Sequence, residues 1–309
     1  MGRFVARRFG QMLIVLIGAT VVLFVCLFVL PGDPIGSLAG GGENAHDPVV
    51  VAELQERYGL GKPYYEQYFH YVSRLVSGDL GEDYVQRREV SEILAPKLLN
   101  TAQLALAAIV INIAVGVPVG VLAALRKYSI WDVSATFVST LTIGFPTFVV
   151  GFLLQKFFVV ELGWFPLLSD GTIKSLVLPA VTLAIVDAAL VARLMRGTML
   201  EVLQADYIKT AVAKGLPRRT VLFKHVLRNS IIPVVTYLGI SLGLLMGGAL
   251  IAEAIFNWDG VGLALVNAVR QQNNPIVLGV VTYGVAVFVV LSLLVDLLCA
   301  ALDPRIRES

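Results

Sequence analysis

Residues 201–233 read EVLQADYIKTAVAKGLPRRTVLFKHVLRNSIIP, a cation-rich polar interval between two long apolar runs. On a helical wheel, residues 206–214 divide into an apolar half and a polar half. The apolar half consists of Tyr207, Ile208, Ala211 and Val212. Gly215 can adopt a positive φ and end this helix, and Pro217 can start a second one. The pattern predicts two helices joined by a tight turn outside the hydrocarbon, so that the first helix can receive a push from a soluble partner.

The composition indicates a membrane protein. Of the 309 residues, 57% are hydrophobic and 15% are charged, which is unlike an ordinary soluble domain. Six apolar runs are present, and only the fourth contains a charge, Asp187. In chain order these predicted spans 1 to 6 cover residues 9–32, 98–125, 133–155, 175–192, 229–252 and 271–295. Because about 20 helical residues cross a hydrocarbon core of about 30 Å, we predict an all-α polytopic fold with six transmembrane helices and a large external segment between spans 1 and 2.

The distribution of basic residues predicts the orientation of the chain. With the N terminus inside, the inner segments carry 15 of the 24 Lys and Arg residues, and the longer outer segments carry 8. Cytoplasmic loops carry such an excess, so both termini are predicted to be cytoplasmic. Span 1 is too long for the apolar part of a signal peptide, and residues 31–34 make a poor cleavage site, so we expect span 1 to be retained. The net charge of +2 gives no indication of nucleic-acid binding.

The external segment, residues 33–97, has a composition of its own. After a Gly-rich patch at 39–44, it contains predicted helices at 49–57, 63–76 and 90–99 and a turn at 77–81. Its aromatic cluster comprises Tyr64, Tyr65, Tyr68, Phe69 and Tyr71. Two interpretations stay open: a belt at the membrane interface, or an ordered docking and lid element that faces the outside. Trp258, in the later outer loop, is predicted to be an interface anchor.

Two charged residues fall within the predicted membrane helices, Asp187 inside the fourth apolar run and Lys156 directly after the third. Charges in such helices are costly and default to functional candidates. Lys156 lies within about a turn of the outer end of span 3 and can extend its charge towards water. Asp187 lies about 18 Å deeper by helical rise, so a direct pair is not expected. Asp187 is therefore a possible pathway residue that faces a wet cavity or another subunit. The alternative, a carboxylate that is hydrogen-bonded within the bundle, is equally open.

Span 5 contains a sequence that resembles a catalytic motif. Residues 239–243 read GISLG, which matches the G-x-S-x-G nucleophile elbow. The motif needs a strand-to-helix turn and a histidine partner, yet the three histidines all lie outside the spans. We instead expect Gly239, Gly243 and Gly247 to form one helix-packing face, and we expect Ser241 to be dispensable. Gly116 and Gly120 predict a similar close approach in span 2.

The sequence also lacks the common motifs for ATP hydrolysis and for zinc binding. It contains no G-x-x-x-x-G-K-[ST] phosphate loop and no zinc-type grouping of histidines and cysteines. We therefore predict that the chain is not an enzyme, that it holds no metal or other cofactor, and that it does not hydrolyse ATP by itself.

Several phrases resemble one family. DYIKTAVAKGL and HVLRNSIIPVVT are similar to the cytoplasmic coupling loop, or EAA loop, of ABC-importer permeases, and closest in wording to the dipeptide and oligopeptide subfamily. The phrases PGDP, GLGKPYYEQY, GDLG, IAEAIFNWDGVG and LLVDLLCAALDPRIR extend this resemblance over nearly the whole chain. Asp259 stands where the family usually has Pro, and Asn273-Asn274 stands where it often has Arg-Asp, which weakens inference about this outer loop.

The resemblance implies an organisation and a set of site residues. It implies the ABC type I importer class and one transmembrane permease domain, 1–309, with a first span (1–32), an external docking segment (33–97) and a five-helix core (98–309) that carries the coupling loop 201–228. The implied ATPase-coupling residues are Asp206, Tyr207, Ile208, Ala211, Lys214, Gly215 and Leu216. The implied docking residues for an external binding protein are Tyr64, Tyr65, Tyr68, Asp79, Leu80 and Gly81.

The resemblance further implies the function and the partners. The chain is expected to import dipeptides or oligopeptides by alternating access across a bacterial inner membrane. Its expected partners are a second homologous permease, two ATPase subunits (or one fused ATPase) that bind ATP and Mg²⁺, an extracytoplasmic substrate-binding protein and membrane lipids. The alternatives are a permease for nickel, glutathione or haem, or a secondary transporter, for which Asp187 alone is thin support. An intramembrane serine protease is excluded by the positions of the histidines.

Overall fold

The computed structural model describes residues 2–29, 34–39, 47–59, 61–83 and 86–302. The chain forms two compact units. The central unit comprises Gln103–Gly243 and Leu291–Ser309, and the N-terminal unit comprises Gly2–Ala102 and Leu244–Val290. Most of the PGDP phrase, most of the Gly-rich patch and the DPRIR ending lie outside the described residues.

Helices dominate the described part of the chain. They are α1 (Gly2–Phe24, continued by a π-helical turn at Val25–Val29), α2 (Pro34–Leu38), α3 (Pro48–Tyr58), α4 (Tyr64–Val76), α5 (Val90–Leu125), α6 (Ile130–Gly144), α7 (Thr147–Leu154, continued by π-helical Gln155–Glu161), α8 (Ile173–Gln204), α9 (Asp206–Ala213), α10 (Arg218–Thr220, continued by π-helical Val221–Leu227), α11 (Arg228–Met246), α12 (Leu250–Phe256), α13 (Val261–Arg270) and α14 (Asn274–Leu302). Two short strands, β1 (Glu82–Asp83) and β2 (Arg88–Glu89), pair antiparallel, which the sequence did not indicate.

Five continuous helices and one broken pair account for the six predicted spans. The continuous apolar stretches are Val5–Phe24, Val90–Leu125, Ile173–Gln204, Arg218–Met246 and Asn274–Ala300. The third predicted span corresponds to α6 and α7, which meet at an angle of 97° and are long and apolar enough to cross a membrane only when taken together. Phe145 between them has extended φ and ψ angles of −87° and 129°, as the residue before a proline prefers. Pro146 therefore accounts for the break between α6 and α7.

Two element boundaries differ from the prediction. The expected separate helix at 90–99 is instead the beginning of α5, because the charged Lys97 interrupts the apolar pattern without interrupting the helix. Predicted span 5 ends earlier than expected, because α11 stops at Met246 and Gly248 adopts a φ of +119°. Glycine permits this conformation, and the chain then turns into α12.

The core of the N-terminal unit is built on two clusters. In the first, Phe24 and Phe28 at the end of α1 pack against aromatic side chains of α3 and α4. In the second, Val90 and Leu94 of α5 pack with residues of α13 and α14. Gly279 permits this contact, since a Cβ there would overlap the side chain of Val90.

The core of the central unit is the contact between α5 and α8. A Cβ atom built on Gly116 would lie 2.8 Å from the carbonyl oxygen of Ala188, and one built on Gly120 would lie 2.6 Å from that of Ala192. The two helices approach each other more closely than any larger residue at these positions would permit, as the spacing of Gly116 and Gly120 predicts. The same core continues through Met195, Met199 and side chains of α9, α10 and α11.

Candidate functional site: the 201–228 loop and its surroundings

The predicted helix–turn–helix is present in the central unit. α9 ends at Ala213, and Gly215 adopts a φ of +75°, while its N–H donates to the Val212 carbonyl at 2.9 Å. The Leu216 N–H reaches the Ala211 carbonyl at 3.3 Å, so the turn satisfies two carbonyls at the end of the helix. α10 begins at Arg218, directly after Pro217. A Cβ on Gly215 would meet no atom within 4 Å, so only the backbone conformation demands glycine here.

The apolar half of α9 is divided between two environments. Ile208 is 4% exposed and belongs to the central core, and Ala211 and Leu216 pack against that core. Tyr207 and Val212 remain 47% and 60% exposed. Ile208 and Ala211 therefore attach the helix to its own chain, while Tyr207 and Val212 remain outside that contact. Asn229 donates a hydrogen bond of 3.1 Å to the Tyr207 hydroxyl oxygen, which holds the ring in place.

The exposed surface of the 201–228 loop is basic. Asp206, Lys214 and Gly215 are all exposed, and Asp206 pairs with Lys209 at 2.8 Å. The Lys and Arg side chains of the loop are likewise exposed: Lys209, Lys214, Arg218, Arg219, Lys224 and Arg228. Phe223 adds a third exposed apolar side chain to those of Tyr207 and Val212. A rigidly held helix with apolar and basic groups outward can bind a partner that offers an apolar pocket with an acidic rim.

The external segment is organised by a carboxylate between two arginines. Asp79 accepts from Arg57 of α3 at 3.1 Å and from Arg74 of α4 at 2.7 Å. Partial burial raises the pKa of Asp79, but the N–H of Gly81 and the two guanidinium groups outweigh it and hold that pKa below its ordinary value. Arg57 also pairs with Glu82 at 3.3 Å. Both arginines are absent from the predicted site residues, although each falls in the last turn of its helix and the turn after α4 contains Asp79.

The six expected docking residues do not form one surface. Tyr64 and Tyr65 are exposed, whereas Tyr68 packs edge-on against Phe24 and lies 3.0 Å from the Thr20 hydroxyl. Leu80 packs against the cluster around Val90, and Gly81 has a φ of +98°. The aromatic cluster is thus divided between two environments. Tyr68 and Tyr71 pack in the core of the N-terminal unit, whereas Tyr64 and Tyr65 are exposed.

Asp187 has partners that the sequence analysis did not name. Its carboxylate accepts from the Tyr237 hydroxyl at 2.9 Å and from the Ser241 hydroxyl at 2.5 Å, which joins α8 to α11. Ser241 therefore makes a hydrogen bond between helices, and its dispensability for activity stays a prediction. The sequence contained an indication of this contact, because Tyr237 and Ser241 are polar residues four positions apart on one face of an apolar helix. Elsewhere in the central unit, Arg196 of α8 pairs with the buried Asp132 of α6.

The predicted glycine face is only partly a helix face. Gly239 lies against Val295 of α14, where a Cβ would overlap the valine side chain. Gly243 is buried in α11. Gly247 follows the end of that helix and lies in a turn, where its N–H donates to the Leu244 carbonyl at 3.2 Å. The expected ladder is wrong at its third member, because α11 ends at Met246.

A buried carboxylate in the N-terminal unit also escaped the sequence analysis. Glu253 is fully buried and accepts from the Thr101 hydroxyl at 2.7 Å and from the Leu263 N–H at 2.9 Å. Burial raises the pKa of Glu253, although the hydrogen bonds to its carboxylate oppose that shift. Side chains at Gly260 or Gly262 would collide with this carboxylate. Glu253 therefore fixes the outer loop to the first part of α5.

Trp258 belongs to the same arrangement and is not an interface anchor. It is buried and donates from Nε1 to the Asn100 carbonyl at 3.0 Å. Asp259, the departure from the family pattern, forms an ion pair with Lys97. Asn273 is buried and donates to Asp83 at 2.9 Å. Within the part of the chain that the structure describes, no three His, Cys, Asp or Glu side chains are grouped to hold a metal ion.

Comparison with known proteins agrees with these observations. Glutathione transport system permease proteins GsiC are similar to this chain over 98% of both lengths, with 36% identity for the protein of Escherichia coli O6:H1 and 35% for that of Salmonella choleraesuis. A structure of the MetNI methionine ABC transporter in inward-facing conformations matches 70% of this chain and 95% of its own, with a TM-score of 0.50 and 19% identity. A crystal structure of an amino acid ABC transporter has the same TM-score, with 18% identity.

Two family profiles cover most of the chain. Residues 1–105 match the N-terminal region of binding-protein-dependent transport system membrane components. Residues 116–308 match the binding-protein-dependent transport system inner membrane component. The helical architecture and the likeness to solved transporters give the same fold, that of the ABC type I importers. The chain belongs to the binding-protein-dependent transport system inner membrane component family and is an ABC-importer permease subunit of the oligopeptide type.

Proposed function

We propose that this permease imports small peptides, and that the 201–228 loop transmits the movement of ATPase subunits to the membrane helices. One observation carries the coupling proposal. Ile208 attaches α9 to the central core, while Tyr207 and Val212 stay exposed among basic side chains. A helix that is fixed on one face and apolar on the other can transmit a displacement from a bound partner. The family implies ATPase subunits and an external binding protein as partners.

The substrate proposal rests on two kinds of similarity. The phrases around residues 201–233 resemble dipeptide and oligopeptide permeases, which favours peptides. The relatives at 35–36% identity are glutathione permeases, which makes glutathione the second candidate. Glutathione is itself a peptide with a free amino group, so both candidates share that chemistry. In the proposed assembly, a second homologous permease completes the membrane part. Both termini lie in the cytoplasm, and the binding protein docks at the external segment.

Uptake by the reconstituted assembly tests the substrate. The permease pair, the ATPase subunits and the binding protein would be incorporated into proteoliposomes with internal ATP. We expect ATP-dependent accumulation of a labelled dipeptide, a labelled tripeptide or glutathione, and no accumulation of nickel or haem. Mass spectrometry of the ligand that co-purifies with the binding protein provides an independent identification. Accumulation of nickel or haem alone would contradict the proposal.

Variants of Gly215 test the coupling. Gly215→Val should strain the turn by about 1 kcal/mol or more, because its φ of +75° disfavours β-branched residues. Gly215→Asn is the matched control, since Asn tolerates this conformation. We expect the Val variant to insert and to bind the ATPase subunits more weakly or to hydrolyse ATP without uptake, while the Asn variant retains most uptake. Equal uptake by both variants, with normal ATPase binding, would refute the coupling role of this turn.

A further inference from the structure

The central unit holds an intramembrane carboxylate without a cationic partner. Asp187 lies 14 residues after the start of α8, or about 21 Å along the helix, within the span Ile173–Gln204. Among the described residues, no Lys, Arg or His nitrogen lies within 4.0 Å of its carboxylate oxygens. A carboxylate at such depth is costly, and groups of this kind mark pathways for ions and substrates.

The partners of Asp187 are neutral and leave it able to accept more. Tyr237 and Ser241 donate one hydrogen bond each, at 2.9 and 2.5 Å, to different oxygens of the carboxylate. An ionised carboxylate can accept about four hydrogen bonds. The Asp187 side chain is also only partly buried. A neutral amide at this position could accept from one hydroxyl through its oxygen and donate to the other through its NH2 group. A tie between the helices therefore does not by itself require the negative charge.

A second polar group at the same depth lacks a partner. Asn112 of α5 is fully buried, and neither its amide oxygen nor its amide nitrogen has a hydrogen-bond partner in the described structure. Gly116 faces Ala188 and Gly120 faces Ala192, so α5 and α8 run in parallel at this contact. Asn112, one turn before Gly116, is therefore level with position 184, less than one turn from Asp187. At this depth in the central unit, Asp187 and Asn112 therefore have more hydrogen-bond donors and acceptors than partners within the described chain.

We propose that Asp187 binds the ammonium group of the transported peptide during its passage through the permease. The proposal rests on the proposed function, because dipeptides, oligopeptides and glutathione all carry a free amino group that is protonated at neutral pH. The peptide ammonium supplies the positive charge that the neutral hydroxyl groups of Tyr237 and Ser241 do not provide. The two hydroxyls hold the carboxylate in position, and its remaining lone pairs accept from the ammonium.

Uptake measurements with three variants distinguish a requirement for the negative charge of Asp187 from a requirement for the hydrogen bonds that join α8 to α11. Asp187→Asn keeps the acceptor and removes the charge, and Asp187→Glu keeps the charge. The double variant Tyr237→Phe with Ser241→Ala removes both hydroxyl donors and keeps the carboxylate. In proteoliposomes that contain the whole assembly, we expect Asp187→Asn to lower peptide uptake by about tenfold, the loss typical of one charge-assisted hydrogen bond. Asp187→Glu should restore part of it, and the double variant should lose less than Asp187→Asn.

Binding measurements identify the group that is recognised. The assembly in nanodiscs, without binding protein, would be mixed with millimolar Ala-Ala or glutathione, each with and without N-acetylation, and observed by saturation-transfer NMR. We expect signals from the free-amine forms, at least severalfold weaker signals from the acetylated forms, and loss of this preference in Asp187→Asn. The comparison of free and acetylated peptides on the unaltered assembly tests ammonium recognition even if Asp187→Asn does not assemble. A preference that is unchanged in Asp187→Glu, in which the carboxylate is displaced, would then count against Asp187 as the group that binds.

The outcomes that would overturn the proposal are distinct from those that concern the substrate. If the unaltered assembly imports neither peptides nor glutathione, the proposed function fails and this inference fails with it. If it imports peptides but Asp187→Asn does so at an equal rate, only the role of Asp187 is refuted. A larger loss in the hydroxyl double variant than in Asp187→Asn would indicate a helix tie, and equal NMR signals from free and acetylated peptides would refute ammonium recognition.

Discussion

At the scale of single residues, the same amino acid is required for different physical reasons. Gly239 lies where α11 meets α14, and a Cβ there would overlap Val295. Gly215 has open space around it and is required for its positive φ. Gly197 of α8 has neither a positive φ nor any atom within 4 Å of a Cβ. Steric contact and backbone conformation therefore predict different tolerances for these three glycines.

Gly239→Val should destabilise the permease through overpacking against Val295, by about 1–3 kcal/mol. Gly197→Ala is the matched control and should be neutral or stabilising by up to about 1 kcal/mol, since alanine favours helices. Thermal unfolding of the detergent-purified protein, followed by circular dichroism, measures both. A Tm for Gly239→Val that equals the unaltered value would contradict the contact between α11 and α14.

At the scale of elements, the hairpin of α3 and α4 depends on charge. Asp79, in the turn after α4, accepts from an arginine at the end of each helix. The folded hairpin therefore holds the pKa of Asp79 below the ordinary value of 3.8. A lowered pKa means that the folded state favours the ionised form. The resulting stability is complete above about pH 4 and is lost as the pH falls through the lowered pKa.

Asp79→Asn should loosen α3 and α4 at neutral pH. Hydrogen exchange of residues 48–76, measured by mass spectrometry, should be faster in this variant than in the unaltered protein at pH 6, and the difference should shrink as the pH falls below about 4. Comparison of the two proteins at each pH cancels the intrinsic effect of pH on exchange. Glu56→Gln, an exposed change on α3, should have no effect at either pH. A difference of the same size at pH 6 and pH 3 would show that charge is not the cause.

At the scale of the whole molecule, the distribution of basic residues predicts which loops lie inside. The exposed cations of the 201–228 loop lie on one side of the membrane in this prediction, and the α3–α4 hairpin lies on the other. The family membership and the apolar helices establish a multi-pass inner-membrane protein. The direction in which the chain crosses is a prediction from charge.

Single cysteines can test this orientation. In a background with Cys26→Ala and Cys299→Ala, we expect Val76→Cys on α4 to react with an impermeant maleimide in cells whose inner membrane is intact. Lys209→Cys on α9 should react only after that membrane is opened. Both original residues are exposed in this chain, and cells that lack the ATPase subunits leave α9 uncovered. Reaction of both from the same side would contradict the six-span topology.

Local sequence determined the elements of this protein. Apolar runs of about 20 residues predicted the spans because hydrocarbon excludes charged side chains and requires backbone hydrogen bonds to be made internally. Gly215 and Pro217 predicted the turn after α9, because φ preferences act within a few residues. The small residues Gly116 and Gly120 predicted a close helix contact, although they did not identify α8 as its partner.

The pairing of groups that are distant in sequence was not predictable from local pattern. Asp187 lies 50 and 54 positions from its hydroxyl donors, and Glu253 lies 152 positions from Thr101. The burial of Trp258 and the division of the apolar face of α9 likewise depend on contacts between residues that are distant in sequence. Each depends on the rotation and register of one helix against another, which arise from the packing of the whole unit. Periodicity along one helix shows which residues share a face, whereas the neighbour of that face is selected by contacts remote in sequence.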